Sequence, residues 1–65
     1  MDFEKEYVCR RACIALSRDH TRRVQIKPKE RYRVLKSMRR KVTLENKDKI
    51  IHIDLKTFEN NFIKV

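Results

Sequence analysis

The chain contains no glycine and a single proline, Pro28, so every reversal of its backbone must be made by residues that carry a Cβ. Residues in the left-handed region are costly without glycine, so the sequence argues against tight two-residue turns and for longer polar connections. With 65 residues there is room for one domain, residues 1–65, burying only about 60% of the surface of its unfolded chain. Such a domain is expected to be of modest stability, and a homodimer would supply part of what one small core lacks.

Charge is the second constraint. The net charge of +9 is unevenly distributed: residues 1–9 sum to −2, residues 10–41 carry thirteen Lys and Arg against Asp19 and Glu30 for +11, and residues 42–65 sum to zero. A positive field confined to the middle of the chain is the pattern of a binding surface. Nine of the eighteen cations are arginine, whose planar fork suits phosphates and guanine edges.

The centre of that field is the segment KPKERYRVLKSMRRK, Lys27 to Lys41. Taken at 100° per residue it predicts an amphipathic helix from near Pro28 to Arg39 or Arg40. Lys29, Arg33, Lys36 and Arg40 then share one face, with Val34, Leu35 and Met38 opposite. Pro28 suits the first helical turn, and Glu30 is the only acid in the segment. Four cations on one face repel one another, and a polyphosphate would relieve the repulsion. Arg22, Arg23 and Lys27 extend this surface on one side and Arg39 and Lys41 on the other, with Ser37 and Tyr32 at its edges as hydroxyl donors.

Around this helix the sequence predicts an α+β domain. Phe3 to Ser17 reads as a first helix, capped by Asp2 and with Glu4 and Glu6 in its first turn. Its apolar stripe is Val8, Cys9, Ala12, Cys13 and Leu16, and a second side, Phe3, Tyr7 and Ile14, is left for another helix or a second subunit. Val24, Gln25 and Ile26 alternate as a short strand that Pro28 ends. Val42–Leu44 and Ile50–Ile53 read as a β-hairpin around a four-residue loop, Glu45 to Asp48. Asp54 caps a final short helix bearing Leu55, Phe58 and Phe62. The order helix, short strand, basic helix, hairpin, short helix is winged-helix-like, with Asn46 to Lys49 as the wing and Lys47 and Lys49 as its contacts. The stretch NKDKIIHIDLKTFENNF resembles the wing of small excisionase-type DNA-binding proteins.

Other chemistries find less support. Cys9 and Cys13 with His20 and His52 lack the spacing of a zinc site and read better as small buried hydrophobes and satisfied histidines. No acid, base and nucleophile converge as an enzyme would need, and neither a metal nor a cofactor is expected. No signal peptide is visible, and no run approaches the roughly 18 apolar residues of a membrane span; with two free cysteines a reducing cytoplasm is expected. The leading expectation is a small regulatory or architectural protein that binds duplex DNA in preference to RNA, of a kind common in phages and mobile elements. A virus-encoded inhibitor or adaptor docking its cationic face on an acidic host protein, and an RNA- or ribosome-associated protein, rest on the same electrostatics.

Overall fold

The computed structural model describes residues 3–65. It contains no long helix. Seven strands form one antiparallel sheet: β1 (Glu6–Cys9), β2 (Cys13–Ser17), β3 (Arg23–Ile26), β4 (Arg31–Met38), β5 (Lys41–Asn46), β6 (Lys49–Asp54) and β7 (Phe62–Lys64), with a single helix α1 (Leu55–Asn61) between the last two. The order across the sheet is β3-β2-β6-β5-β4-β1-β7.

That order forces the sheet to curl. Strands β1 and β2 lie four places apart, which in a flat sheet would be roughly 19 Å. Only Arg10, Arg11 and Ala12 join them, and the four backbone steps from Cys9 to Cys13 reach at most about 14 Å. Strands β3 and β4 are also four places apart, and their link, Lys27–Glu30, is folded into a turn by Glu30 N–H donating to the Lys27 carbonyl at 3.3 Å. The sheet therefore bends into a half-barrel whose two margins approach each other. The β3–β4 turn docks on the end of β1, with Cys9 N–H donating to the Glu30 carbonyl and Lys29 N–H to the Cys9 carbonyl, both at 2.8 Å.

The concave side is the core. Tyr7, Cys9, Ala15, Ile26, Tyr32, Val34, Val42, Leu44, Ile51 and Ile53 alternate inward along their strands, and Phe58 from α1 and Phe62 from β7 complete the cluster. Phe58 stacks on Phe62 at 5.0 Å and meets Tyr7 edge-on at 5.0 Å, while Tyr32 meets Phe62 edge-on at 6.2 Å. These contacts tie α1 to the β7 margin of the half-barrel, against β1 and β7. The helix starts where Asp54 accepts from Lys56 N–H at 3.1 Å and ends where Phe62 N–H donates to the Phe58 carbonyl.

Both expected long helices are strands, and the winged-helix layout falls with them. In the first segment Tyr7 and Cys9 point inward one residue apart, the period of a strand. The i, i+4 relation of Cys9 and Cys13 arises because the chain crosses between margins there. In the basic segment Arg31 and Arg33 face out and Tyr32 and Val34 in; the register then shifts between Val34 and Lys36. That bulge at Leu35 adds one residue, so the outward cations Arg33 and Lys36 stand three apart and imitate a helical face. Pro28 occupies the second position of a turn, with Lys29 at φ 76° where a type II turn needs a left-handed residue. The strand at Val24–Ile26, the hairpin, the Asp54 cap and the burial of Phe58 and Phe62 agree with expectation, but Phe62 opens β7 and is not on the helix. Asp2 lies outside the described residues.

The hairpin turns differ from the four-residue loop that the lack of glycine suggested. Strands β5 and β6 are joined by two residues, Lys47 and Asp48, with Asn46 opposite Lys49 and Lys47 at φ 54°. Strands β4 and β5 are joined by Arg39 and Arg40 alone, with Met38 opposite Lys41. Both arginines are left-handed, at φ 52° and 63°, the combination of a type I′ turn that asparagine and glycine normally make. Replacing Arg39→Asn and Arg40→Gly together should raise stability by about 1–2 kcal/mol, read by urea denaturation, by relieving left-handed strain. Phe58→Ala, which empties the centre of the aromatic cluster at a cost of about 3–5 kcal/mol, should leave the chain largely unfolded without urea, read by circular dichroism.

Candidate nucleic-acid interface

Strand alternation leaves the convex face to solvent, where cross-strand neighbours form rows. One row is Arg23, Leu16, His52, Thr43 and Lys36; the next is Ile50, Glu45, Arg33 and Glu6; a third is Arg31, Val8 and Ile63. Directly opposed residues on one face interact as pairs, and the middle row shows it. Arg33 forms an ion pair and hydrogen bond with Glu45. That bond, then the Glu45 charge, then Glu4 and Glu6, push the guanidinium further above its usual range. Arg33 is thus already engaged with carboxylates. A shallow groove of about 470 Å³ lies along this row, lined by Glu6, Arg31, Tyr32, Arg33, Glu45, Asn46 and Lys47.

At one end of the sheet the balance is different. The β4–β5 turn brings together Lys36, Arg39, Arg40 and Lys41, and among the described residues no ion pair engages any of them. Lys36, Met38 and Lys41 share the outer face and the two arginines form the tip. The acid nearest in register is Asp54, opposite Lys41, and its carboxylate caps α1.

The remaining sequence-predicted cations occupy other turns and strand ends. Lys47 and Lys49 lie at the far end of β5, at the β5–β6 turn. Lys27 and Lys29 belong to the β3–β4 turn, where Lys27 N–H donates to Glu30 Oε1 at 2.7 Å. Arg22 closes the β2–β3 loop and Arg23 begins β3. Lys29, Arg33, Lys36 and Arg40 therefore do not form one helical face; Lys36 and Arg40 meet at the β4–β5 corner, and Lys29 and Arg33 lie elsewhere. Tyr32 is not a phosphate donor: the residue is 1% exposed, its hydroxyl is buried without a hydrogen-bond partner, and burial pushes the phenol up, partly offset by Lys49.

The thiols and imidazoles form two separate pairs. Burial raises the pKa of both thiols, that of Cys13 to about 11, so both stay protonated and poorly reactive. His52 bonds Thr43 Oγ1 through Nδ1 at 3.0 Å and the Arg18 carbonyl through Nε2 at 3.1 Å, and His20 stacks on it at 4.2 Å. No group of three or more metal-ligating side chains occurs among the described residues, and no helix there is long and apolar enough to cross a membrane. No protein-family model matches the chain, and neither a curated protein nor a solved structure is significantly similar to it.

The loop that holds His20 is organised by Asp19. Its Oδ1 accepts from Thr21 Oγ1 and Ser17 Oγ, both at 2.7 Å, and from Thr21 N–H at 3.1 Å, and these bonds hold the carboxyl far below its ordinary pKa of 3.8. A carboxyl depressed in the folded state stabilises the fold above its unfolded pKa, and that contribution is lost as pH falls toward the folded value. Asp19→Asn should therefore be less stable than the parent at about pH 7, with the gap closing below about pH 4 in parallel urea titrations. A gap independent of pH would refute this role for the charge.

Proposed function

We propose that the protein binds duplex nucleic acid, DNA in the first instance, through the β4–β5 corner, as a small regulatory or architectural protein. The observation that carries this reading is the concentration of Lys36, Arg39, Arg40 and Lys41 at one two-residue turn, with no ion pair to any of them among the described residues. Two of the four are held in a backbone region where arginine is strained. A polyphosphate is the partner that would relieve their mutual repulsion.

Duplex is favoured over single strand because the chain offers little for bases to stack on. Tyr7, Tyr32, Phe58 and Phe62 are buried, leaving Phe3 as the exposed ring among Phe, Tyr and Trp side chains of the described residues. Cations at the other turns, Arg22, Arg23, Lys27, Lys29, Lys47 and Lys49, would add longer-range attraction without defining the contact.

Fluorescence anisotropy with a labelled DNA duplex and a matched RNA hairpin tests the reading. If about four to six phosphates are neutralised, log affinity should fall against log salt with a slope near −4 to −5. Arg39→Glu with Arg40→Glu should weaken binding roughly a hundredfold while leaving circular dichroism unchanged; Lys47→Glu with Lys49→Glu, at the far end of β5, should cost only several-fold. Equal losses from both variants would move the contact off the corner. Binding that collapses alike for DNA and RNA near physiological salt would overturn the reading and leave the corner as a docking surface for an acidic protein.

A further inference from the structure

Phosphate contacts leave one feature of this corner unused. Met38 is 60% exposed and stands in the last β4–β5 pair opposite Lys41, on the same outer face as Lys36 and directly before Arg39. Strand β1 pairs with β4 only along Arg31–Arg33, and its extension reaches Val34 through Glu4 N–H, so Met38 lies beyond the cover of β1. An apolar, flexible side chain is thus presented among four cations.

Resting on the duplex-binding reading above, we propose that this corner works in the minor groove of DNA, with Arg39 and Arg40 entering the groove, Lys36 and Lys41 on the flanking phosphates, and Met38 wedged against a base step so that the duplex bends. The width of the corner argues for this groove. The major groove, about 12 Å wide, accepts a helix or a free two-stranded ribbon. Here β6 is paired alongside the hairpin up to Lys41 and Asp54, and α1 is fastened to the tip by Leu55 N–H donating to the Arg40 carbonyl at 2.8 Å. Three strands occupy about 10 Å between the outer two before side chains are counted, so the body of the corner stays outside and only side chains of the turn reach in. Single arginines fit the minor groove, about 6 Å wide, where the potential of A·T-rich DNA favours them. Methionine is among the side chains that proteins push between base steps there.

The test uses the full chain and three duplexes of about 20 base pairs, alike except for a centre of A·T, G·C or inosine·cytosine pairs, each labelled at both ends for energy transfer. Inosine·cytosine lacks the guanine amino group in the minor groove but keeps the major-groove pattern of G·C. The A·T and inosine·cytosine duplexes should be bound alike and about tenfold more tightly than G·C, and binding should shorten the end-to-end distance. Met38→Ala, at an exposed position and compared with the parent at saturating protein, should lose the shortening. Inosine·cytosine behaving as G·C, or shortening that is absent or survives Met38→Ala, would overturn the inference while duplex binding stands. Binding to phosphatidylserine vesicles with no duplex bound would overturn both.

Discussion

The curl of the sheet is the constraint on which the rest of the molecule depends, and two short crossings impose it. Arg10–Ala12 and Lys27–Glu30 each join strands four places apart, and neither is long enough to span a flat sheet of that width. Once the margins approach, the alternating side chains of seven short strands converge on one interior, and a single helix of seven residues suffices to cover it. Phe58 does so against Tyr7 and Phe62, residues brought together by the pairing of β1 with β7. A domain this small cannot afford a second core, so the convex face and the turns carry the rest of the sequence, including the cations.

Those cations are not equivalent. Along the middle of the convex face acids alternate with them across strands, and the Arg33–Glu45 pair flanked by Glu6 is locally balanced. At the β4–β5 corner the one carboxylate in register, that of Asp54, is committed to the helix cap. Net charge says only that the protein should meet anions. The pairing register says where the positive charge lacks an internal partner, and it identifies a different set from the row that helical spacing suggested.

The local features legible in the sequence were those decided by neighbouring residues: the alternation at Val24–Ile26, the β-branched runs of the hairpin, the cap at Asp54 and the short helix that buries Phe58. What could not be read was decided at long range. Tyr7 and Cys9 form a strand because β4 and β7 lie on either side of them. The basic segment misled because the bulge at Leu35 converts a period of two into a spacing of three between Arg33 and Lys36; an intrinsic preference of either kind is readily overridden by such tertiary pairing. The cations of the candidate interface were all identifiable by type, but their grouping around the Arg39–Arg40 turn required the register. The absence of glycine pointed away from two-residue turns, and the chain makes two of them regardless.

That last departure bears most directly on function. In a small domain with a single core, stability rarely exceeds about 3–5 kcal/mol, and a left-handed residue with a side chain costs roughly 1–2 kcal/mol. Arg39 and Arg40 together therefore consume a large share of the available margin. Asparagine and glycine would make the same turn with less strain, but they would remove both charges from the tip of the β4–β5 turn. Adjacent like charges add repulsion to the strain. Left-handed residues also stand at Glu4, His20, Lys29 and Lys47; this turn differs in that both of its residues are left-handed and both are cations. The corner is thus a place where local stability and surface charge pull in opposite directions.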